Sequence, residues 1–127
     1  SDLEFFMPLT AKKAGLLLRS LEFRVKGYMP GKMRTVLRKY GTTTALADKS
    51  IDLVRGYNDV VLDMGSIALE KGVEYQLYFA AANNFYPPSV VSSWVAANDC
   101  IDIAHGSAYY GDNTTLIFSG TVVLQET

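Results

Sequence analysis

The chain has 127 residues, of which 49% are hydrophobic and 20% charged, with a formal net charge of −1 and one cysteine. This length suits one domain over residues 1–127, and the apolar content can offset the entropy of ordering it, which excludes wholesale disorder. Apolar runs of only a few residues fall far short of the ~20 that a membrane helix needs, so we expect no membrane insertion. A single cysteine excludes an internal disulfide.

Charge is unevenly distributed along the chain. Residues 1–40 carry nine Lys and Arg against three acids, a balance of +6, whereas the remainder carries three bases against ten acids, a balance of −7. One interpretation is that basic strands pair beside acidic strands in a sheet. Another is a basic face for an anionic partner, such as an acidic polysaccharide or nucleic acid. The overall pI near 5.7 argues against nucleic acid.

The first half of the chain alternates apolar and polar residues with period two, which indicates β-strands. Residues 21–26 place Leu21, Phe23 and Val25 on one face and charged side chains on the other. The turn residues of 27–31 end this strand. Residues 33–40 alternate again and are predicted to form its antiparallel partner. Residues 45–56 have a mixed pattern and are predicted to be a crossing loop.

The second half continues the alternation. A strand over 57–64 should end at Gly65 and Ser66, and a strand over 74–82 should bury Tyr75, Leu77 and Phe79. Further strands are predicted over 90–96, 101–108 and 116–124, the last bent or bulged at Gly120. These spacings predict an all-β fold, an antiparallel β-sandwich that is jelly-roll-like with about eight strands. An immunoglobulin-like sandwich is the alternative.

Most catalytic residue sets are missing from the sequence. With one histidine, no H-E-x-x-H, no C-x-x-C pair, no G-x-S-x-G and no phosphate-binding glycine loop, we predict that the protein is not an enzyme and has no cofactor or metal. Two minor alternatives stay open: a small hydrolase using a carboxylate pair, and a structural calcium ion held by oxygen-rich late loops. The candidate calcium ligands are Asp99, Asp102, Asp112 and Asn113.

Aromatic and amide residues concentrate in the later loops. Aromatic rings pack against the C–H faces of sugars while amides and carboxylates bind their hydroxyls, and the same mixture serves protein interfaces. We therefore predict a ligand-binding site there. Its candidate residues are Asn84, Phe85, Tyr86, Trp94, Tyr109, Tyr110 and Asn113.

One segment resembles a known structural element. Residues 60–77 contain a strand, then Leu69-x-x-Gly72-x-x-Tyr75, then a second strand. This arrangement is similar to jelly-roll β-sandwich modules of the carbohydrate-binding and phage tail receptor-binding type, in which the glycine makes a tight turn and the tyrosine plugs the corner. The resemblance implies a noncatalytic module that recognises glycans or a host or cell-surface receptor, located outside the cell or on a virion surface.

A second functional hypothesis comes from apolar residues at outward positions. Val36, Val61, Val91 and Val123 fall on strand faces opposite the predicted core. A lone sandwich would keep these faces polar. The alternative to glycan binding is therefore a structural virion or appendage protein that forms homo-oligomers through its sandwich faces.

Overall fold

The computed structural model describes residues 2–27, 29–82, 89–90, 96–97, 99–103, 106–109, 113–118 and 120–127. Twelve β-strands lie within these residues: β1 (Asp2–Ala11), β2 (Leu16–Gly27), β3 (Gly31–Lys39), β4 (Ala47–Leu53), β5 (Gly56–Leu69), β6 (Glu74–Ala82), β7 (Ser89–Val90), β8 (Ala96–Ala97), β9 (Ile101–Ile103), β10 (Gly106–Tyr109), β11 (Asn113–Phe118) and β12 (Gly120–Glu126). Eight of the twelve have six or more residues. The described residues include no helix that is long and apolar enough to cross a membrane.

The larger sheet is antiparallel, and its strands follow the order β4-β3-β6-β1-β10-β11-β7. β6 lies inside this sheet and pairs with β1 on one side and with β3 on the other. β10 pairs with residues 4–6 of β1 and β9 pairs with residues 9–11, so these two short strands share one position beside β1. β8 pairs with β9.

The smaller sheet is also antiparallel and has the order β12-β2-β5. One apolar core lies between the two sheets, and Phe23 of β2 meets Phe79 of β6 edge to face, with 5.7 Å between the ring centroids. Core residues of the larger sheet include Met7, Leu9, Leu37 and Leu77, and those of the smaller sheet include Leu16, Leu18, Leu21 and Leu62. The predicted all-β antiparallel sandwich with about eight strands is therefore confirmed.

The period-two pattern places the predicted residues in the core. In β2, Leu21, Phe23 and Val25 are buried, while the charged residues between them lie outside. In β6, Tyr75, Leu77 and Phe79 are buried in the same way. Alternation was a reliable guide here because side chains on a strand point in turn to opposite faces of the sheet.

The predicted pairing of residues 33–40 with residues 21–26 is wrong. β2 belongs to the smaller sheet, whereas β3 belongs to the larger sheet and pairs with β4 and β6. The connection between Gly27 and Gly31 therefore crosses from one sheet to the other. Turn residues show that the chain changes direction, but they do not show whether it returns beside the same strand or across the core.

The predicted crossing loop at 45–56 is also wrong, because most of this stretch is the edge strand β4, paired along β3. Leu53 is buried, and Ile51 and Ala47 are half-buried, but Lys49 is exposed between Ala47 and Ile51. The lysine interrupts the apolar alternation and obscured the strand in the sequence. A charged side chain at an edge strand also discourages pairing with another chain.

β5 continues past Gly65, where the sequence predicted its end. The register with β2 shifts so that residues 64–66 stand opposite a single residue, which is a β-bulge. Gly65 has φ +73°, and its amide donates a 2.8 Å hydrogen bond to Oδ1 of Asp63. The glycine therefore supplies the left-handed conformation of a bulge inside a strand.

The corner between β5 and β6 is a tight turn that contains Gly72. Gly72 adopts φ +78°, and the side chains of Leu69 and Tyr75 are buried beneath the turn. The Tyr75 hydroxyl accepts a 2.8 Å hydrogen bond from the backbone amide of Glu70. This tyrosine ties together the chain segments that connect the smaller sheet to the larger one.

The predictions for the last strands were partly correct. The strand predicted over 101–108 is present as β9 and β10, both beside β1. The strand predicted over 116–124 is divided into β11 in the larger sheet and β12 in the smaller sheet, with Gly120 at the start of β12. The predicted strand over 90–96 lies mostly outside the described residues.

Candidate binding face

The predicted ligand-binding residues divide into two groups. Asn84, Phe85, Tyr86, Trp94 and Tyr110 lie outside the described residues. Tyr109 and Asn113 lie in β10 and β11, where their backbones are register partners. Tyr109 also stands opposite Glu4 of β1. The structure thus brings two of the predicted residues into one row of the larger sheet.

Glu4 belongs to a face which the sequence did not single out. We use the name outer face for the side of β3, β6 and β1 that points away from the core. Its side chains are Glu4, Phe6, Pro8, Arg34, Val36, Arg38, Gln76 and Tyr78, which alternate with the buried residues of the same strands. Most of them are half-buried rather than fully exposed. The side chains of this face therefore partly cover one another.

An aromatic pair lies at the middle of the outer face. Phe6 of β1 and Tyr78 of β6 are register partners, and their ring centroids are 4.9 Å apart with a 36° angle between the planes. Val36 of β3 is the partner of Tyr78 on the other side and is only 5% exposed. The expectation that Val36 is an exposed outward residue is therefore wrong, because the neighbouring side chains cover it.

The Tyr78 hydroxyl donates a 2.7 Å hydrogen bond to Oε1 of Glu4. Burial, followed by this hydrogen bond and the negative charge of Glu4, raises the pKa of Tyr78 from 10.0 to about 12, although Arg34 and Arg38 act in the opposite direction. Tyr78 therefore stays protonated at neutral pH, and its ring is held toward Glu4 by a charge-assisted hydrogen bond.

Two arginines on β3 have different partners. Arg34 donates from Nε and Nη2 to the two carboxylate oxygens of Asp48, at 2.9 and 2.6 Å, and these bonds lower the pKa of Asp48 below its ordinary value. Arg38 instead donates from Nε to the amide oxygen of Gln76, at 3.2 Å. The Arg38 guanidinium carbon also lies 5.8 Å from the centroid of the Tyr78 ring, within cation–π distance.

The ion pairs explain the uneven charge of the chain. Each of the five ion pairs between described residues joins a base from residues 1–40 to an acid from the remainder. They are Lys13–Glu126, Arg24–Asp59, Lys32–Asp52, Arg34–Asp48 and Lys39–Glu70. Three of the five bridge adjacent strands, β2 with β5 or β3 with β4. The pairing of basic beside acidic strands is therefore confirmed.

The described residues hold no cluster of three or more His, Cys, Asp or Glu side chains that could bind a metal ion. Of the candidate calcium ligands, Asp99 and Asp102 are exposed, Asn113 is described only by its place in β11, and Asp112 lies outside the described residues. The outer face presents a flat aromatic surface between an amide–guanidinium group and a carboxylate.

The sequence contained two signals for this face. Phe5 and Phe6 are adjacent, so only one of them can face the core of a strand. Tyr78 stands at the outward phase of a strand whose inward phase is wholly apolar. Comparison with known protein families gave no match, and neither did comparison with curated proteins or with solved structures.

Proposed function

We propose that this chain is a noncatalytic glycan-binding module whose binding surface is the outer face of the larger sheet. The observation that carries the proposal is the half-buried pair of Phe6 and Tyr78, with polar groups at both ends. Gln76 and Arg38 lie at one end, and Glu4 lies at the other.

The chemistry of this face suits a sugar. The C–H side of a sugar ring packs on an aromatic face, while its hydroxyls exchange hydrogen bonds with amide, guanidinium and carboxylate groups. These polar groups are already held by bonds within the sheet, so binding costs little side-chain entropy. Because this platform is rigid before a ligand arrives, it favours a binding role over a catalytic one.

The backbone row that contains Glu4 continues into two further strands. It passes to Tyr109 of β10 and then to Asn113 of β11, two residues that the sequence predicted to bind ligand. In the backbone register, this row therefore continues from β3, β6 and β1 to β10 and β11. A partner on a cell surface, and a location outside the cell or on a virion, form part of the same proposal.

A glycan array tests this function, using the purified chain and three variants. Tyr78→Ala removes the central ring of the outer face. Tyr57→Ala is the matched control, because Tyr57 is a 65% exposed tyrosine on the outer side of the smaller sheet. A Tyr86→Ala, Trp94→Ala double variant tests the loop residues predicted from sequence. We expect Tyr78→Ala to weaken binding about tenfold or more, and Tyr57→Ala to leave it unchanged.

Other results would contradict the proposal in specific ways. Loss of binding only in the loop double variant would move the site to the loops, and loss only in Tyr57→Ala would move it to the smaller sheet. If the folded protein binds no glycan on the array, a glycan is not its ligand. Near-ultraviolet circular dichroism of each variant shows whether its fold is intact.

The self-assembly hypothesis keeps one supporting observation. Val61 and Tyr57 project from β5, an edge strand of the smaller sheet, and are 66% and 65% exposed. Large exposed side chains on a sheet face suit contact with a second copy of the chain. Sedimentation velocity of the wild type and Val61→Lys tests this; a wild type that stays monomeric at high concentration contradicts it.

A further inference from the structure

The cations of β3 differ in how their charge is compensated. Lys32, Arg34 and Lys39 each contact a carboxylate, at 3.0, 2.6 and 2.8 Å. Arg38 has neutral partners, the amide oxygen of Gln76 and the ring of Tyr78. Within this strand, therefore, the positive charge of Arg38 is the one that meets no carboxylate among the described residues.

The geometry of Arg38 leaves donors for a ligand. Its Nε proton is used by Gln76, and a guanidinium has four further N–H donors arranged as a planar fork. Gln76 and the Tyr78 ring hold the plane in place, so the fork is oriented before any ligand arrives. A preorganised guanidinium fork matches the two oxygens of a carboxylate, or those of a sulfate, better than it matches a single hydroxyl.

We infer that the ligand of the outer face is an acidic glycan, whose anionic group pairs with Arg38 while its ring lies over Tyr78 and Phe6. This inference rests on the proposed function and specifies its ligand class. Glu4, at the other end of the platform, accepts hydroxyl protons and disfavours a second anion there. The ligand therefore binds in one orientation, with its anionic group toward β3.

A nucleic acid would also present anions and flat rings, but the outer face does not suit a polyanion. Three of the four bases on β3 are neutralised by Asp52, Asp48 and Glu70. A nucleic acid backbone needs several uncompensated cations in line. A single oriented cation beside an aromatic pair matches one charged sugar in an otherwise neutral chain.

The test uses pairs of glycans that differ only in their charge. Uronic acid oligomers are compared with their methyl esters, sialylated glycans with their desialylated forms, and sulfated glycans with unsulfated ones, by fluorescence-polarisation titration. We expect the acidic member of a pair to bind about tenfold more tightly. Arg38→Gln should remove this preference. Arg24→Gln changes net charge equally on the smaller sheet, and should preserve it.

Each outcome has a defined meaning. Equal binding of acidic and neutral members overturns the acidic-ligand inference but leaves glycan binding in place. An acidic preference that survives in Arg38→Gln overturns the role of this residue. Binding of no glycan overturns the proposed function together with this inference. Tighter binding of a single-stranded oligonucleotide than of any acidic glycan would also overturn it.

Discussion

The two faces of the larger sheet are built by the same strands but differ in polarity and in exposure to water. On the inner face, Leu37, Leu77 and Phe79 pack in an apolar layer that excludes water. On the outer face, their neighbours Arg38 and Tyr78 form a partly exposed layer of hydrogen bonds and ring contacts. One residue of displacement along the strand thus separates the apolar core from the face that we propose binds the ligand, because side chains alternate between the faces.

The faces also differ in how they treat polar atoms. The Tyr78 hydroxyl of the outer face has a carboxylate partner, whereas the buried Thr35 hydroxyl of the inner face has no hydrogen-bond partner among the residues that the structure describes. A polar group without a partner in an apolar layer lowers stability. The comparison therefore predicts that substitutions on the inner face change stability and those on the outer face change binding.

The largest effect should come from Phe79→Ala. Phe79 is 1% exposed and contacts Phe23 across the core, so its removal leaves a cavity between the sheets. We expect a loss of about 3–5 kcal/mol in the free energy of unfolding. Tyr78→Ala, one residue away on the outer face, should cost only about 1 kcal/mol. Urea denaturation of both variants measures the difference, and equal losses would show that the outer face is part of the stability core.

A smaller effect of opposite sign is expected from Thr35→Val. The substitution keeps the shape of the side chain and removes a hydroxyl that is buried without a partner. The free energy of unfolding should rise by about 1 kcal/mol. Thr42→Val is the control, because the Thr42 hydroxyl is exposed and donates a 2.8 Å hydrogen bond to the Lys39 carbonyl. A destabilised Thr35→Val would mean that the hydroxyl has a partner in solution, such as a buried water.

A third effect concerns alkaline pH. An unfolded tyrosine loses its proton near 10.0, whereas burial and the bond to Glu4 hold the Tyr78 proton to about 12. Between these values the unfolded state binds fewer protons than the folded state, so this contribution to stability falls as pH rises. It is constant below pH 10.0. Tyr78→Phe should remove this part of the alkaline decline.

The measurement is chemical denaturation of the wild type and Tyr78→Phe through this pH range, with the difference between them as the readout. Comparing the two proteins cancels the titration of lysines and of the other tyrosines. Glu4→Gln should lower the pKa of Tyr78, because it replaces the anion that accepts the phenol proton. If the free energy of unfolding falls equally with pH in the wild type and in Tyr78→Phe, the Tyr78 hydroxyl is not buried and hydrogen-bonded to Glu4 in solution.

Strand faces could be predicted from the sequence, but strand partners could not. The alternation in residues 21–26 and 74–82 identified the buried side chains, since it depends only on local backbone geometry. The pairing of β3 depends on where the chain goes after Gly27, and the same turn residues permit either a hairpin or a crossing between sheets. Lys49 hid the edge strand β4 because an edge position needs only part of the apolar pattern.

The candidate site was partly predictable in the same sense. Tyr109 and Asn113 were predicted because aromatic and amide residues cluster there, and the structure makes them register partners beside Glu4. Phe6 and Tyr78 were missed because they are 72 positions apart in a chain whose register was unknown. The local pattern of each strand shows that Phe6 and Tyr78 can face outward, but it does not show that they meet across the sheet.

The sequence by itself therefore determined the all-β class and the faces of the strongest strands, both of which follow from alternation and turn chemistry. The tertiary structure alone decided which strands pair, which base meets which acid, and which cation of β3 has no carboxylate partner among the described residues. These properties depend on contacts between distant positions, whose geometry exists only once the two sheets have packed against each other.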